Sequence, residues 1–335
     1  MASSALLIGG SGQIGRAVAA RLLSAGWEVT CAQKRPERVP QALVRAGART
    51  IALDREAPGA LAAAAAPGFD AVIDMVAFDE DHARQLLAVQ GDVGAFVVMS
   101  SGSVCCDAEG RTLDEARETG FPQFPVPIPE SQPTVAPGPA TYSTRKAALE
   151  QTLLQEATTP VTILRPFAIH GEGSGHCREW WFVKRLLDGR SRIPLALNGE
   201  SRFHTTATAN IAELVATVLA APGTQVLNVA DPEAISVADI GRAIAAVYGA
   251  NPEFVLLDGP RADGVGMTPW SVAAPLVADM SAAAAIGYRP VTTYAESVAP
   301  ACRSAEARAA AGEPFAPYFA GLFNYPAEDR VMQGL

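Results

Sequence analysis

Residues 6–18 read Leu-Leu-Ile-Gly-Gly-Ser-Gly-Gln-Ile-Gly-Arg-Ala-Val, an apolar run that ends in closely spaced glycines and continues at helical spacing. This pattern predicts a strand that enters a helix through a tight turn. Gly9 would permit the turn, Gly12 would let the backbone approach a pyrophosphate, and Gly15 would let the helix pack on the strand. The helix N-terminus would offer its free N–H groups to the anion. The spacing is Gly-x-x-Gly-x-x-Gly rather than the Gly-x-Gly-x-x-Gly of the dinucleotide-binding fingerprint, so an ordinary strand–helix turn is the alternative.

The composition is that of a soluble globular protein, because 49% of the 335 residues are hydrophobic and 18% are charged. The net charge of −9 disfavours binding to nucleic-acid phosphates and to anionic membrane surfaces. The first residues lack the basic region of a signal peptide, and no stretch approaches the roughly 18 apolar residues that a spanning helix needs. We therefore expect a cytoplasmic protein with neither a nucleic-acid nor a membrane partner.

The cysteines and histidines give no metal-binding pattern. The five cysteines match neither a zinc-site spacing nor a disulfide framework. His170, His176, Cys177 and His204 also follow no zinc pattern. We therefore expect no metal and a reducing compartment.

Short apolar runs alternate with helical patterns from the N-terminus to about residue 165. This alternation predicts parallel βαβ units and hence an α/β fold with a doubly wound parallel sheet. Beyond that point the alternation becomes irregular, although helices are predicted at 180–187 and 237–248 and a strand at 225–229. We expect this second half to form a smaller lobe.

The residues that follow the second predicted strand bear on the choice of cofactor. A dinucleotide-binding fold for NAD usually places an acid there for the ribose 2′-hydroxyl, whereas a basic residue accommodates the 2′-phosphate of NADP. This chain has Lys34 and Arg35 at that point. We therefore expect NADP, with NAD as the alternative cofactor and a solvated basic loop as the alternative role. Asp54 ends a later predicted strand and is placed to accept from an adenine amino group.

Prolines recur between Asp107 and Pro139 and exclude regular structure there. A loop of this length in a compact domain is more often functional than idle. We expect a flap over the site, and a surface excursion is the alternative.

Tyr142 and Lys146 are four residues apart on a predicted helix, so their side chains emerge on the same face. A phenol is mostly protonated at neutral pH, and a neighbouring ammonium would lower its pKa and make Tyr142 a general acid and base. Ser101, at the carboxyl end of a predicted strand, would hydrogen-bond a substrate carbonyl or alcohol oxygen. A surface tyrosine beside a lysine is the alternative.

Together these motifs resemble those of the extended short-chain dehydrogenase/reductases, the NAD-dependent epimerase/dehydratase group. The resemblance covers about residues 5–250 and places the motifs in the expected order. The matching segments are the glycine turn, Asp54, Ser100-Ser101, Tyr142-x-x-x-Lys146, Arg165-Pro166-Phe167-Ala168-Ile169-His170-Gly171 and Val226-Leu227-Asn228-Val229. The resemblance implies a Rossmann fold, a nicotinamide cofactor, and Ser101, Tyr142 and Lys146 as the catalytic residues.

On this basis a Rossmann domain spans residues 1–165, with a returning segment at about 205–230. A smaller C-terminal substrate-binding lobe, including the tail, comprises residues 166–204 and 231–335. The residues expected to contact the cofactor are Gly9, Gly12, Gln13, Ile14, Gly15, Lys34, Arg35, Asp54, Met75, Val76, Ser100, Lys146 and Pro166. The residues expected to contact the substrate are Ser103, Phe167, His170 and Arg202.

Departures from the family pattern concern the substrate. Family members often follow the paired serines with Val-Tyr-Gly, whereas this chain has Val104-Cys105-Cys106. Sugar-nucleotide 4,6-dehydratases carry an Asp-Glu pair beside the catalytic hydroxyl, but no acid immediately follows Ser101, which argues against dehydration. The substrate therefore stays open between a nucleotide-linked sugar and an aromatic, terpenoid or polyketide-like ketone.

The function that we expect is hydride transfer to or from a carbonyl or secondary alcohol carbon, in an NADP-dependent ketone reductase that binds a small molecule. The first alternative is an epimerase, in which the cofactor is oxidised and restored in each turnover. The second alternative is a non-catalytic protein that binds NAD(P). The apolar tail from Ala301 to Leu335 would complete the substrate pocket or seal a subunit contact, and the resemblance makes a homodimer one expectation.

Overall fold

The computed structural model describes residues 2–261 and 263–334. Two compact units form within this part of the chain. The first contains the chain up to Phe167 together with Thr208–Val229 and Ala278–Val291, and the second contains Ala168–Ala207, Ala230–Val277 and the chain from Thr292 onward. Met1, Ala262 and Leu335, which fall within the predicted domain ranges, lie outside the described residues.

The strands, in chain order, are β1 (Ser4–Ile8), β2 (Glu28–Gln33), β3 (Arg49–Ala52), β4 (Ala71–Asp74), β5 (Phe96–Met99), β6 (Val161–Pro166), β7 (Ala168–His170), β8 (Arg192–Leu195), β9 (Thr205–Ala207), β10 (Gln225–Val229) and β11 (Glu253–Leu256). Seven of them form the sheet of the first unit, in the order β10-β6-β5-β4-β1-β2-β3. Every neighbouring pair in this sheet is parallel. The order runs outward from β1 in both directions, which confirms the prediction of a doubly wound, Rossmann-type α/β fold.

The α-helices, in chain order, are α1 (Gln13–Ser24), α2 (Gln41–Arg45), α3 (Ala60–Ala65), α4 (Glu80–Ala88), α5 (Ala116–Thr119), α6 (Tyr142–Glu156), α7 (Trp180–Leu187), α8 (Thr208–Ala220), α9 (Val237–Val247), α10 (Ser281–Ala285), α11 (Tyr294–Ala310) and α12 (Tyr325–Gln333). Helix α6 begins where it does because Thr141 and Thr144 form a reciprocal capping box. None of the helices in the described part of the chain is long and apolar enough to cross a membrane.

The sheet of the first unit is covered on both faces, as a parallel sheet requires. On one face, side chains of β1, β4, β5 and β6 pack with α3, α4 and α6 in one cluster that includes Leu6, Val72, Val98, Ile163 and Leu149. Helices α1 and α8 pack against each other, with the buried Val18 and Leu22 on α1. Because the strands are parallel, the carboxyl ends of β1, β4 and β5 meet at one edge of the sheet.

The boundaries between the two units differ from the predicted ones by a few residues near 167, 207 and 230, and by more in one segment. Residues 278–291, which the sequence places in the second lobe, belong to the first unit. The amide of Asn228 on β10 donates to the carbonyl oxygen of Asp279 at 3.1 Å. The hydroxyl of Tyr288 donates to the carbonyl oxygen of Asn210 at 3.1 Å. These contacts join distant parts of the chain, so no local pattern indicates them.

The second unit contains two small parallel ladders, β8 with β11 and β7 with β9. Its core is aromatic and includes the fully buried Trp181, Phe182 and Trp270. The C-terminal tail packs on this same core, with Phe319 buried in it and Phe315 and Phe323 against it. The roles predicted for the tail, at the substrate pocket or at a subunit contact, stay predictions.

Candidate active site

The glycine turn after β1 has the geometry that the sequence predicts. Gly9 has a φ of +90°, which an L side chain rarely adopts, and its N–H donates to the carbonyl oxygen of Ala32 at 2.9 Å. A Cβ on Gly15 would lie 2.3 Å from the carbonyl oxygen of Gly9. The helix can therefore pack this closely on the turn only when position 15 is glycine. A Cβ on Gly12 would meet only that same oxygen, at 3.4 Å. Gly12 is therefore not required for packing within the protein, which fits a role in admitting a ligand.

The loop that follows β4 is shaped by a buried ion pair. The carboxylate of Asp74, fully buried, accepts from the guanidinium of Arg55 at 2.7 Å. Its other oxygen accepts from the backbone N–H groups of Val76 at 2.9 Å and Ala77 at 2.8 Å. These bonds hold Val76, half-exposed, over the glycine turn, where its side chain would lie 2.7 Å from a Cβ on Gly9. The same bonds orient the carbonyl group of Ala77 toward Lys146.

Lys146 is buried on α6 and is held by backbone oxygens. Its ammonium donates to the carbonyl of Ala77 at 2.5 Å and to the carbonyl of Met99 at 2.8 Å. Burial lowers the pKa of Lys146 to about 8, although nearby carboxylates such as Asp74 raise it. The side chain therefore links the ends of β4 and β5 beneath the candidate site.

Tyr142 opens the same helix and is 45% exposed. Its ring lies 5.6 Å from the ring of Phe78, centroid to centroid, and Lys146 Nζ lies 5.9 Å from its centroid. Partial burial raises the pKa of Tyr142, hydrogen bonding with the Ser101 hydroxyl lowers it, and the Asp114 carboxylate raises it. The net shift is upward.

The upward shift of the Tyr142 pKa contradicts the expectation that Lys146 lowers it. The ammonium of Lys146 is directed to two carbonyl oxygens, and the pKa of Tyr142 is raised rather than lowered. Tyr142 and Lys146 lie on one helix face, as predicted, but the group that lowers the pKa of the Tyr142 hydroxyl is Ser101.

A row of hydroxyl groups extends from Ser101. The Ser101 hydroxyl oxygen accepts from the N–H of Ser103 at 3.2 Å. The hydroxyl of Ser143 donates to that of Ser103 at 3.1 Å. The N–H of Ser143 in turn donates to the carboxylate of Asp114 at 2.8 Å. Sequence reasoning missed Asp114 and Ser143, because Asp114 lies in the proline-rich loop that carries no motif.

Two further polar atoms at the carboxyl ends of β1 and β5 are buried without a hydrogen-bond partner among the described residues. They are Gln13 Oε1, in the first turn of α1, and Ser100 Oγ, next to Ser101. Buried polar groups are normally satisfied, so such atoms indicate places where a ligand or water completes the bonding. Together with the open Cβ position of Gly12, they fit the residues that the sequence assigns to a dinucleotide.

The basic stretch after β2 is arranged differently from the expectation. The ammonium of Lys34 forms an ion pair with the carboxylate of Asp54 at 2.9 Å, so the two residues expected to contact the cofactor contact each other instead. The side chain of Gln33 accepts from the N–H of Ser11 at 2.7 Å and donates to the carbonyl of Arg35 at 3.1 Å. Among the described residues, the Arg35 guanidinium makes no hydrogen bond or ion pair.

The remaining predicted site residues fall into both units. In the first, Met75 continues β4 and donates its N–H to the carbonyl of Ile8 at 3.1 Å, and Ile14 lies in the first turn of α1. Pro166 ends β6, and the Phe167 ring lies against Gly102, where an added Cβ would be 2.8 Å from it.

The second unit holds two residues expected to contact substrate. His170 is buried and bonded through Nε2 to the carboxylate of Asp231 at 2.9 Å. Arg202 is exposed and donates to the carbonyl of Ala234 at 3.0 Å. Their contact with a substrate stays a prediction.

Within residues 2–261 and 263–334, no group of three or more histidine, cysteine, aspartate or glutamate side chains is placed to hold a metal ion. All five cysteines are unpaired. Burial raises the pKa of Cys31 and Cys105 to about 11, so these thiols are largely protonated at neutral pH.

The fold is that of several solved structures. A UDP-glucose 4-epimerase from Stenotrophomonas maltophila, with bound NAD and formylated UDP-arabinopyranose, is 17% identical, with a TM-score of 0.70 and coverage of 92% of this chain and 99% of that one. A Thermus thermophilus UDP-glucose 4-epimerase complex with NAD is 19% identical, with a TM-score of 0.63 and coverage of 90% and 99%. A Bacillus cereus UDP-glucuronic acid 4-epimerase, in complex with UDP-glucuronic acid and NAD, is 16% identical, with a TM-score of 0.66 and coverage of 91% and 99%.

A comparison with curated proteins finds no match. The sequence model of the NAD dependent epimerase/dehydratase family matches residues 5–230, which contain the glycine turn, Ser101, Tyr142 and Lys146. The chain therefore belongs to the NAD dependent epimerase/dehydratase family.

Proposed function

We propose that this protein is an NAD-dependent epimerase that inverts a secondary alcohol of a nucleotide-linked sugar or a related polyol. The observation that carries the proposal is the row of polar groups after β5, in which Ser101, Ser103 and Ser143 are joined by hydrogen bonds and the carboxylate of Asp114 accepts the N–H of Ser143, next to Tyr142. A wall of hydroxyl and carboxylate groups suits a polyhydroxylated ring better than an apolar ketone. The family and the nucleotide-sugar epimerases among the structural neighbours support the same choice.

The expectation of a ketone reductase therefore becomes the second candidate. It rests on Lys34 and Arg35, which favour NADP and hence net reduction. Lys34 is already paired with Asp54, so Arg35 is the remaining cation of this stretch for a 2′-phosphate. This weakens the argument for NADP, and the structural neighbours described above hold NAD.

The proposed cofactor would lie along the carboxyl ends of β1, β2, β4 and β5. The N–H groups after Gly12 would bind its pyrophosphate, and Asp54 would be released from Lys34 to meet the adenine. Lys146 and Ser100 would face the nicotinamide end. When bound, the nicotinamide supplies an acceptor and donor of hydride.

The protein's own groups would then move one proton. Ser101 and Tyr142 would hold the substrate alcohol oxygen between their hydroxyls. Tyr142 would take the proton of that oxygen while the carbon is oxidised, and would return it when the carbonyl is reduced from its other face. Lys146, positively charged below its pKa of about 8, would favour the phenolate form of Tyr142 during the transfer.

The experiment that tests this function incubates NAD-loaded protein with UDP-glucose and follows the sugar ring by NMR. An epimeric product without net formation of reduced nicotinamide supports the proposal, whereas a keto sugar formed with one equivalent of reduced nicotinamide supports net oxidoreduction, the second candidate. Tyr142→Phe should lower the turnover rate by roughly 10²- to 10⁴-fold and leave cofactor binding unchanged. Tyr248→Phe, which removes a tyrosine hydroxyl bonded to the Glu306 carboxylate in the second unit, is the matched control and should keep full activity.

A further inference from the structure

Asp114 and the start of the catalytic helix come together across 29 residues of sequence. The Oδ2 atom of Asp114 accepts the backbone N–H of Ser143 at 2.8 Å, in the first turn of α6. Tyr142 immediately precedes Ser143, and the Asp114 carboxylate is close enough to raise the pKa of the phenol. The carboxylate is therefore fixed beside the proposed acid and base.

The loop that carries Asp114 is anchored at both ends. The fully buried carboxylate of Asp107 accepts from the N–H of Arg111 at 2.8 Å and from the N–H of Gln123 at 2.9 Å. The Arg111 guanidinium adds an ion pair with it at 2.7 Å. Thr112, also buried, accepts from the N–H of Glu115 at 3.3 Å. The position of Asp114 is therefore set before any ligand binds.

The carboxylate of Asp114 has hydrogen-bond acceptor positions beyond the one that binds the Ser143 N–H. A carboxylate has two oxygens with about four acceptor positions, and Ser143 takes one of them. Asp114 is exposed, and among the described residues no cationic side chain pairs with it. An exposed, unneutralised carboxylate next to the reacting hydroxyls favours ligands that donate hydrogen bonds and disfavours anionic ones.

We infer that Asp114 determines the substrate specificity of this site, by accepting a hydrogen bond from a neutral hydroxyl group close to the reacting carbon and repelling a carboxylate at that place. The inference rests on the proposed function, because it assumes that the substrate ring lies against Tyr142. It predicts a neutral hexose rather than a uronic acid as the sugar.

The test measures binding of UDP-glucose and UDP-glucuronate to NAD-loaded protein by calorimetry. Asp114→Asn keeps an acceptor for the Ser143 N–H but removes the charge, so the helix start should survive. The wild type should prefer UDP-glucose, and the variant should lose roughly 10- to 100-fold of that preference. Glu118→Gln, an exposed acid of the same loop, should leave the preference unchanged. Thermal unfolding of each variant separates loss of binding from loss of structure.

A wild type that binds both sugars equally, prefers the uronate or binds neither overturns the inference, as does an Asp114→Asn variant with an unchanged preference. A wild type that prefers UDP-glucose, with the preference lost in Asp114→Asn, supports the inference even when no epimer forms, and in that case only the proposed function fails. Asp114→Glu should restore part of the preference, which a purely structural role of the residue would not require.

A second readout does not depend on a sugar. Among the described residues, the groups near Tyr142 are Ser101, Lys146, Asp114 and Phe78. The guanidinium carbon of Arg145 lies 5.4 Å from the centroid of the Phe78 ring. Removing the charge of Asp114 should lower the pKa of Tyr142, measured as the phenolate absorbance that is lost in Tyr142→Phe. An unchanged titration in Asp114→Asn would show that the carboxylate does not act on the site.

Discussion

Lys146 and Tyr142 lie on one face of the same helix, with 5.9 Å between the lysine Nζ and the centroid of the phenol ring. The lysine is nevertheless bonded to the strand ends, through the carbonyl oxygens of Ala77 and Met99, and not to the phenol. The positive charge of Lys146 is therefore held in the site by the backbone at the ends of β4 and β5. Burial keeps the net shift of the pKa of the phenol upward, although the Ser101 hydroxyl lowers it.

Lys146 should make cofactor binding depend on pH. Its pKa is lowered to about 8, chiefly by burial, so the ammonium becomes a neutral amine as the pH rises through that value. We expect the Kd for NAD to rise by roughly tenfold between pH 7 and pH 9, because a charged donor to the cofactor is lost. Fluorescence quenching measures this Kd.

The matched variants are Lys146→Met, which should bind NAD weakly at every pH in this range, and Lys184→Met, in which an exposed ion pair with Asp188 is removed. Lys184→Met should follow the wild-type curve. A wild-type affinity that is flat from pH 7 to pH 9 would contradict the assignment of Lys146 to the cofactor.

Two glycines of the same turn should respond differently to alanine. Gly15→Ala places a Cβ 2.3 Å from the carbonyl oxygen of Gly9, so the helix must move and the free energy of unfolding should fall by about 1–3 kcal/mol. Gly12→Ala meets that oxygen at 3.4 Å and should leave the stability nearly unchanged while abolishing dinucleotide binding. Denaturant unfolding and NAD titration measure the two effects. Normal NAD binding by a folded Gly12→Ala protein would exclude a pyrophosphate at this turn.

Arg35 should decide between the two pyridine nucleotides. Its guanidinium makes no ion pair among the described residues, whereas Lys34 is bound to Asp54. If a 2′-phosphate contacts this stretch, Arg35→Ala should weaken NADP binding by roughly 10- to 100-fold and leave NAD unaffected. Arg38→Ala, an exposed neighbour, is the control. Equal effects on NAD and NADP would remove the basis for an NADP preference.

Glu179 should lower the stability of the protein as the pH rises. It is buried in the second unit, where burial raises the pKa of its carboxyl and the hydroxyl of Tyr294 lies 3.5 Å away. The folded protein therefore keeps this proton at a pH where the unfolded chain has lost it. Stability contributed by the protonated form is present below the pKa of the unfolded chain and is lost as the pH rises toward the pKa of the folded state.

The variant Glu179→Gln keeps the shape and hydrogen-bonding capacity without the charge. We expect it to be more stable than the wild type at neutral pH by about 1–3 kcal/mol and to lose this part of the pH dependence. Glu200→Gln, at an exposed position, should change neither. Thermal unfolding between pH 5 and pH 8 measures both. Parallel curves for Glu179→Gln and the wild type would mean that Glu179 is already ionised in the folded protein, as it is in the unfolded chain, and that its pKa is not raised.

Much of the first unit could be predicted because its signals are local. The turn at Gly9, the strand and helix alternation, and the spacing of Tyr142 and Lys146 each lie within a few residues, so propensity and periodicity express them. The predicted helix at 180–187 and strand at 225–229 coincide with α7 and β10. The small ladders of the second unit and the long helix α11 were not predicted, because short strands and a proline-containing, alanine-rich helix give weak periodic signals.

The amino-acid sequence by itself determined that the chain is an α/β protein of this family and where its glycine turn, serine pair and tyrosine–lysine pair lie. Only the tertiary structure decided what surrounds them. Lys146 is bonded to carbonyl groups 47 and 69 residues away, and Asp114 reaches α6 from a loop without a motif. Such contacts form when parallel strands bring distant segments to one edge of the sheet, and they set charge and hydrogen bonding that no local pattern encodes.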